Sequence, residues 1–468
     1  MINPKIAGGI CRPPAESEGG FALMEKILPD LRQSAQISAL ENDLRAIVND
    51  PVMPVPGCGV MAFQDGKLLY EGCFGFRRVD AAHPENNLPF RTDTRFRTAS
   101  ISKVFSAVGV MQLVEQGTLD LDADVSVYLG FRLRNPNYPD EPITLRMLLS
   151  HTSSIRDGSV YSTPPEDNIE QFFLPDGKYY AGGEHFAGSS DGIDRGPGRF
   201  FAYTNLNYGI IGTIFERISG LRFDEYMKKN VLEPMGLQAS FNVGDFTAQQ
   251  LHDLSPLYQS KNGDRWDASQ PWAAQIDDYQ DQVQPRDKVL ITNPDLGGEN
   301  VLADLSAYRI GDNGTLFSPQ GGLRISMEEL KALAELFLTD GLVNGNRILS
   351  KESVDTMFTP CWTYDPQKQN GDTYDGLMTC YGPGIQKFTS GQRDRFLPER
   401  NVVMSGHFGE AYGLLAGLFV DRQRKCGIFY VINGQGAPDT EHHGNYSGMY
   451  QWEERLCSAL LDNLFPEL

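Results

Sequence analysis

Ser100 and Lys103 are the residues whose types and spacing could do covalent chemistry in this sequence. They form the pattern S-x-x-K, and a helix that begins near Ser100 would carry both side chains on one face. A serine hydroxyl at the positive end of a helix, beside an amine, can act as a nucleophile. The same setting lowers the pKa of the lysine, which can then accept the hydroxyl proton without a Ser-His-Asp triad. The alternative for these four residues alone is a helix-capping serine and a solvated lysine.

A Y-x-N motif lies in the middle of the chain, and it could supply the further polar group that a serine–lysine pair needs for catalysis. It is Tyr203-Thr204-Asn205, directly before a predicted helix. A tyrosine hydroxyl close to Lys103 can pass a proton between Ser100 and the leaving group, and the Asn205 amide can bind a substrate carbonyl. Taken alone, the tyrosine would be a core aromatic residue and the asparagine a helix cap.

A third motif, His407-Phe408-Gly409, opens a predicted strand region near the C-terminus. Gly409 would let a substrate approach the backbone, and His407 can donate a hydrogen bond to a substrate carboxylate or carbonyl. The backbone N–H groups of Ser100 and Glu410 would then form an oxyanion hole. Alone, His407 would be an ordinary hydrogen-bonded polar residue, but the three motifs in this order predict a catalytic site.

Ser190 is the alternative nucleophile, because residues 188–192 match the pattern G-x-S-x-G. That pattern forms a nucleophile elbow only where a buried strand precedes it and a helix follows it. The flanking residues 184–187 and 193–197 fit neither element. We therefore interpret residues 188–192 as a loop near the mouth of the catalytic cleft that we expect around Ser100.

Apolar periodicity predicts the elements that carry these motifs. A helix is predicted from Ser100 to a stop at Gly117, because apolar residues recur there at helical spacing. Two hairpins are predicted, across residues 60–70 and 413–432. Further helices are predicted at residues 143–152, 205–218, 223–231, 326–338 and 449–460.

The order of these elements predicts an α/β (α+β) fold, in which helices flank an antiparallel β-sheet and a mostly helical domain is inserted. The predicted parts are an N-terminal arm (1–44), a sheet domain (45–118 and 321–468) and the insertion (119–320). Residues 238–320 show few clear elements, and we predict an irregular, lid-like segment that closes over the cleft and narrows the substrate range.

Composition excludes several classes of function. The net charge of −20 disfavours nucleic acids and anionic membranes as partners. The N-terminus has no signal-peptide pattern and no stretch is long enough to span a membrane, so we expect a cytoplasmic protein. Seven scattered cysteines without C-x-x-C predict neither disulfides nor a zinc site, and we interpret His442-His443 as loop residues. We expect no metal and no cofactor.

The sequence resembles the serine β-lactamase and penicillin-binding superfamily, specifically its class C-like branch. The resemblance covers roughly residues 45–465 and rests on the three motifs together with three further stretches. Those stretches are L-L-S-H-T-S-S-I at 148–155, V-L-E-P-M-G-L at 231–237 and G-G-L-R-I-S at 321–326. The resemblance implies a β-lactamase/transpeptidase-like fold, with Ser100 as the acylated nucleophile, Lys103 as its base partner and Tyr203 in the Y-x-N position.

The sequence departs from the β-lactamases at one motif, since His407-Phe408-Gly409 stands where they carry K-T-G. An H-x-G there is more similar to D-peptidases and some esterases, and Glu410 disfavours substrates with a free carboxylate. We therefore predict a serine hydrolase of small esters or amides, with an esterase ranked first because an ester needs less leaving-group protonation. The alternatives are a D-amino-acid peptidase or amidase, a weak β-lactamase, an acyltransferase and a non-catalytic penicillin-type sensor. The sequence leaves the oligomeric state open.

Overall fold

The computed structural model describes residues 35–188, 191–262, 265–267, 269–293, 299–438 and 441–468. Most of the predicted arm and the alternative nucleophile Ser190 lie outside these residues. The helices are α1 Ala35–Val48, α2 Ser102–Glu115, α3 Ser126–Leu129, α4 Leu145–Leu149, α5 Leu206–Ser219, α6 Phe223–Met227, α7 Ala248–His252, α8 Met327–Leu338, α9 Lys351–Phe358 and α10 Gln451–Leu464.

The strands of the described residues lie before α2, between α7 and α8, and after α8. They are β1 Gly57–Gln64, β2 Lys67–Arg78, β3 Leu88–Pro89, β4 Arg95–Arg97, β5 Leu257–Asn262, β6 Arg265–Trp266, β7 Trp272–Ile276, β8 Lys288–Asn293, β9 Glu299–Asp304, β10 Arg324–Ser326, β11 Leu342–Val343, β12 Asn346–Arg347, β13 Trp362–Thr363, β14 Cys380–Gly382, β15 Ile385–Lys387, β16 Ser405–Ala411, β17 Leu414–Asp421, β18 Cys426–Ile432 and β19 Gly434–Gln435.

An antiparallel sheet built from both ends of the chain forms the centre of the fold. Within the described ranges its strand order is β13-β14-β15-β16-β17-β18-β1-β2-β3. Both predicted hairpins are confirmed, as β1–β2 and β17–β18. The first turns at Asp65 and Gly66, which both have positive φ, as a tight hairpin turn requires. Because β18 pairs with β1, the C-terminal hairpin closes the sheet onto the N-terminal one.

Helices cover both faces of this sheet. Alternate residues of β1 point to opposite sides, so that Met61 packs with α2 and α8, whereas Val60 packs with α1 and α10. Residues 35–44, the end of the predicted arm, form the first part of α1. Leu40 and Leu44 of this helix are fully buried against the sheet. Burial on both faces explains why β17 and β18 are apolar at nearly every position.

The first part of the predicted insertion contains the helices α3 to α7, with loops between them. From residue 257 onward the insertion contains the strands β5 to β9, for which the sequence pattern carries no clear signal. β5 pairs in parallel with β19, far away in sequence, and antiparallel with β7. Such short strands depend on distant partners, and for that reason they carry little local signal. Among the described residues, no helix is both long and apolar enough to cross a bilayer.

The predicted helices that carry the motifs are confirmed. α2 begins one turn after the short β4, and Gly117 beyond its end has φ +71°. α5 follows the Y-x-N motif and ends at Gly220 in the left-handed conformation. α8 begins with a capping box between Ser326 and Glu329.

Candidate active site

Ser100 lies in a tight turn between β4 and α2. Its neighbour Ala99 is almost fully buried and has φ +45°, a conformation that L-residues rarely adopt. The following residues continue as one turn of 3₁₀-helix into α2. The turn thus presents the half-buried Ser100 hydroxyl near the N-terminus of a helix, where developing negative charge is stabilised.

Lys103 lies one helical turn further on and is completely buried. Its Nζ donates hydrogen bonds to Ser100 Oγ at 2.9 Å, Asn205 Oδ1 at 2.8 Å and the Gln320 carbonyl oxygen at 3.0 Å. Burial lowers the pKa of Lys103 to about 7, although the charge of Asp157 acts in the opposite direction. A neutral amine is therefore well populated near neutral pH, and it can accept the proton of Ser100.

Tyr203 lies beside this pair. Its ring centroid is 4.8 Å from Lys103 Nζ, and its side chain lines the same cleft as Ser100. Burial raises the pKa of Tyr203 well above 10, so the hydroxyl is protonated at neutral pH. The ring stacks on His151 at 4.3 Å between centroids, which fixes its orientation. The structure thus brings Tyr203 together with Ser100 and Lys103.

Asn205 has different contacts from those that the sequence suggested. Its amide oxygen accepts from Lys103, and its Nδ2 donates to Asp157 Oδ2 at 2.9 Å, so both ends of the amide are engaged within the protein. Asp157 also accepts from the Leu206 backbone N–H at 2.8 Å. Asp157 was missed because a lone acid in a loop rich in polar residues has no recognisable spacing to the motifs.

His407 lies at the cleft but is not a free donor to substrate. Its Nδ1 is 2.6 Å from the Phe408 carbonyl oxygen, to which it donates, and its Nε2 then accepts from the Tyr381 hydroxyl at 2.7 Å. Burial, together with the charge of Lys103, lowers the pKa of His407 to about 3. In this tautomer the single N–H of the neutral imidazole is directed to Phe408, and the donation of His407 to a substrate stays a prediction.

Gly409 serves the packing of β16 and does not line the cleft. A Cβ at this position would stand 2.4 Å from the Thr98 carbonyl oxygen, in the turn before Ser100. Glu410, the next residue, is exposed at the cleft, with the Tyr450 hydroxyl 3.5 Å from its carboxylate. The oxyanion hole formed by the N–H groups of Ser100 and Glu410 stays a prediction.

The cleft around Ser100 has a volume of about 600 Å³. Asn205, His407 and Glu410 line it together with the aromatic side chains of Tyr161, Tyr374 and Tyr412. None of these three tyrosines belongs to a sequence motif. They come from separate loops that only the tertiary structure brings to one place.

The remaining candidate from the sequence lies apart from the cleft. The ring of His442 packs against Trp452, with 5.4 Å between centroids. Throughout the part of the chain that the structure describes, no three His, Cys, Asp or Glu side chains are grouped so that they could hold a metal ion.

The family model described as Beta-lactamase matches residues 46–448. The chain belongs to the beta-lactamase family. The octameric penicillin-binding protein homologue from Pyrococcus abyssi has the same fold, with a TM-score of 0.58 at 23% identity over 92% of this chain and 77% of that one. The sequence-based family resemblance and fold class are thus confirmed.

Curated relatives of this beta-lactamase family member are distant. Protein flp from Staphylococcus aureus (strain MRSA252) is 24% identical over 220 residues, which are 46% of this chain and 41% of that protein. The chain therefore spans less than half the length of this relative. ML-236A carboxylate methylbutanoyltransferase mlcH from Penicillium citrinum is 26% identical over 369 residues, 75% of this chain and 76% of that protein.

Proposed function

We propose that the protein is a serine hydrolase that cleaves small carboxylic esters through an acyl-enzyme on Ser100. The observation that carries this proposal is the buried Lys103 amine, with a pKa of about 7, placed 2.9 Å from Ser100 Oγ. A lysine in this state is a base at neutral pH, and once the amine is neutral its lone pair can accept the Ser100 hydroxyl proton over the same 2.9 Å.

The proposed acylation begins when Ser100 Oγ attacks the carbonyl carbon and its proton passes to the neutral Lys103 amine. The carbonyl π electrons move to the oxygen and give a tetrahedral intermediate. When the intermediate collapses, the bond to the leaving-group oxygen breaks, and a proton returns to that oxygen from Lys103 through the Tyr203 hydroxyl. The acyl group is then bound to Ser100 as an ester.

Deacylation uses the same groups in the reverse sense. Water attacks the acyl carbon, and Lys103 with Tyr203 accepts the proton of the water. When the ester bond to Ser100 breaks, the proton returns to Oγ, and the carboxylic acid leaves. The cycle consumes one ester and one water and restores the neutral Lys103 amine.

An acyltransferase is the second candidate, in which an alcohol replaces water in deacylation. It is supported by the similarity to mlcH, a methylbutanoyltransferase by name, over three quarters of each chain. An ester product formed with an added alcohol distinguishes the two. Amide substrates would point to a D-amino-acid amidase, and a permanent adduct without turnover to a penicillin-type sensor.

The decisive experiment combines nitrophenol release from p-nitrophenyl butyrate with intact-protein mass spectrometry. We expect wild-type protein to turn over and Ser100→Ala to lose at least about a thousandfold in rate, with no acyl adduct. Ser190→Ala is the matched control, because Ser190 is the serine of the alternative motif, and it should behave like wild type. Undiminished turnover by Ser100→Ala would remove the proposal.

Location and partners belong to the same proposal. We propose a cytoplasmic enzyme whose partner is a small-molecule ester or amide. Cell fractionation with an antibody to the protein tests the location, and recovery in the membrane fraction would contradict it.

A further inference from the structure

One wall of the cleft is aliphatic. Ile276 at the end of β7, Leu290 and Ile291 on β8, and Leu316 all line it. All four belong to the segment 238–320, for which the sequence predicts a lid-like role. This aliphatic wall offers a substrate no charged partner of its own, and it would favour an apolar chain over a polar one.

A buried ion cluster holds the Ile276 end of this wall beside the nucleophile turn. Asp277, directly after Ile276, binds Arg97 (Nε to Oδ2, 3.3 Å) and Arg324 (Nη2 to Oδ1, 2.7 Å). Arg97 stands three residues before Ser100, and Arg324 pairs with it across β4 and β10. These ion pairs connect the insertion to β4, the strand that leads into the turn of Ser100.

The charges in this cluster are engaged with one another. Because Arg324 and Arg97 flank it, the pKa of the Asp277 carboxyl is lowered to about 2 despite its burial, so it is ionised. The Tyr279 hydroxyl donates to Asp277 at 3.1 Å, and Arg97 also donates to the Gly321 carbonyl oxygen at 3.3 Å. Arg97 lines the cleft but is held by these contacts, whereas Glu410 adds negative charge at the same cleft.

We propose that the aliphatic wall, held in place by Asp277, selects esters that carry a neutral alkyl chain. The inference rests on the proposed function and names its substrate class. The chain can belong to the acyl part or to the alcohol part of the ester, and the shared chemistry is an unbranched or branched hydrocarbon of several carbons. Asp277 acts as a positioning residue, since it touches the arginines and not the substrate.

The test compares kcat/KM over two series of esters. The first series is p-nitrophenyl acetate, butyrate and octanoate; the second is ethyl, butyl and octyl acetate followed by acid release. We expect wild-type protein to prefer the longer chain in one series by about tenfold or more, because each methylene in an apolar pocket adds to binding. The series that shows the preference identifies the part of the ester that meets the wall. No preference in either series would overturn the proposal.

Leu290→Trp tests the wall directly, since the larger side chain would fill the space for an alkyl chain. In the series that shows the preference, kcat/KM for the longest ester divided by kcat/KM for the shortest should fall by about tenfold or more. Leu302→Trp is the matched control, because Leu302 pairs with Leu290 across the β8–β9 hairpin but is 47% exposed and does not line the cleft. Equal profiles for the two variants would overturn the proposal.

Asp277→Asn tests the positioning role, because it keeps the size of the side chain and removes the charge that binds both arginines. We expect the ratio of kcat/KM between the longest and the shortest ester to fall toward one. Thermal unfolding is measured in parallel, because unpaired buried charges destabilise a fold. A folded Asp277→Asn variant with the wild-type ratio would refute the positioning role. If this variant does not fold, the Leu290 and Leu302 pair still decides the proposal.

A charged ester provides the opposing outcome. p-Nitrophenyl hemiglutarate carries a carboxylate at the end of its chain, and we expect it to be a poorer substrate than the butyrate ester. A preference for it would mean that Arg97 is open to substrate, and the proposal would fail. If no ester acylates Ser100, the proposed function fails instead, so the two failures are distinguishable.

Discussion

At the scale of single residues, the chemistry of the site depends on how Lys103 is held. Its amine binds Ser100 and the Asn205 amide oxygen, and Asp157 binds the other end of that amide. An asparagine amide can rotate by half a turn, and the Asp157 carboxylate selects the orientation that directs oxygen toward the lysine. Asp157 therefore positions Asn205, and its charge raises the pKa of Lys103.

Asp157→Asn should change both rate and pH dependence. The wild-type kcat/KM for an ester should rise with pH through about 7, as Lys103 loses its proton. Without the nearby negative charge, the pH at which kcat/KM rises should move lower, because the protonated amine loses a stabilising partner. The rate should fall by roughly tenfold or more, since Asn205 can turn away from Lys103.

The pH profile separates this role from a purely structural one. His151 and His407 also face Lys103, but burial lowers the pKa of both, so neither contributes a positive charge near pH 7. Asp372→Asn is the matched control: it removes a charge that is paired with Arg156 at the outside of the site. An unchanged rise of kcat/KM with pH in Asp157→Asn, or an equal shift in Asp372→Asn, would contradict the assignment.

At the scale of elements, the position of Ser100 depends on how β16 packs against the nucleophile turn. β16 passes so close to Thr98 that position 409 has no room for a Cβ. On its other edge β16 pairs with β17 along its whole length, from Ser405 to Ala411. Position 409 of the H-x-G motif therefore requires glycine because β16 packs closely against the turn that contains Thr98.

Gly409→Ala should lower both stability and activity. Its methyl group would push β16 away from the turn, and overpacking of this kind costs about 1–3 kcal/mol of unfolding free energy. Denaturant unfolding and ester hydrolysis measure the two effects. Gly188→Ala is the control, because a Cβ there meets nothing within 4 Å and its φ is not positive. If Gly409→Ala matched Gly188→Ala in both assays, the packing argument would be wrong.

At the scale of the whole molecule, the two ends of the chain share one sheet and one layer of helices. α10 packs on β18 and beside α1, and it carries the buried Glu453 into that layer. Glu453 accepts hydrogen bonds from the Tyr430 hydroxyl at 2.8 Å and from the Tyr450 backbone N–H at 3.1 Å. Burial nevertheless raises the pKa of Glu453 to about 8.

This carboxyl should make the fold less stable as the pH rises. In the unfolded chain it loses its proton near 4.5, but in the folded chain only near 8, so between these values the folded state binds more protons. Stability therefore falls through this window, by at most about 1.4 kcal/mol per pH unit from this group. Denaturant unfolding at several pH values should show a weaker fall for Glu453→Gln. Glu467→Gln, at an exposed position, should keep the wild-type slope, and a parallel slope in both variants would count against the role of Glu453.

The sequence by itself determined the family, both hairpins and the pairing of Ser100 with Lys103. These features depend on spacing within one helix or one turn, where local geometry decides which side chains meet. The tertiary structure alone decided that Asp157 orients Asn205, that His407 is a neutral residue with its N–H already engaged, and that β5 to β9 exist. Burial and long-range partners set these properties, because a pKa or an edge strand depends on neighbours that sequence spacing does not reveal.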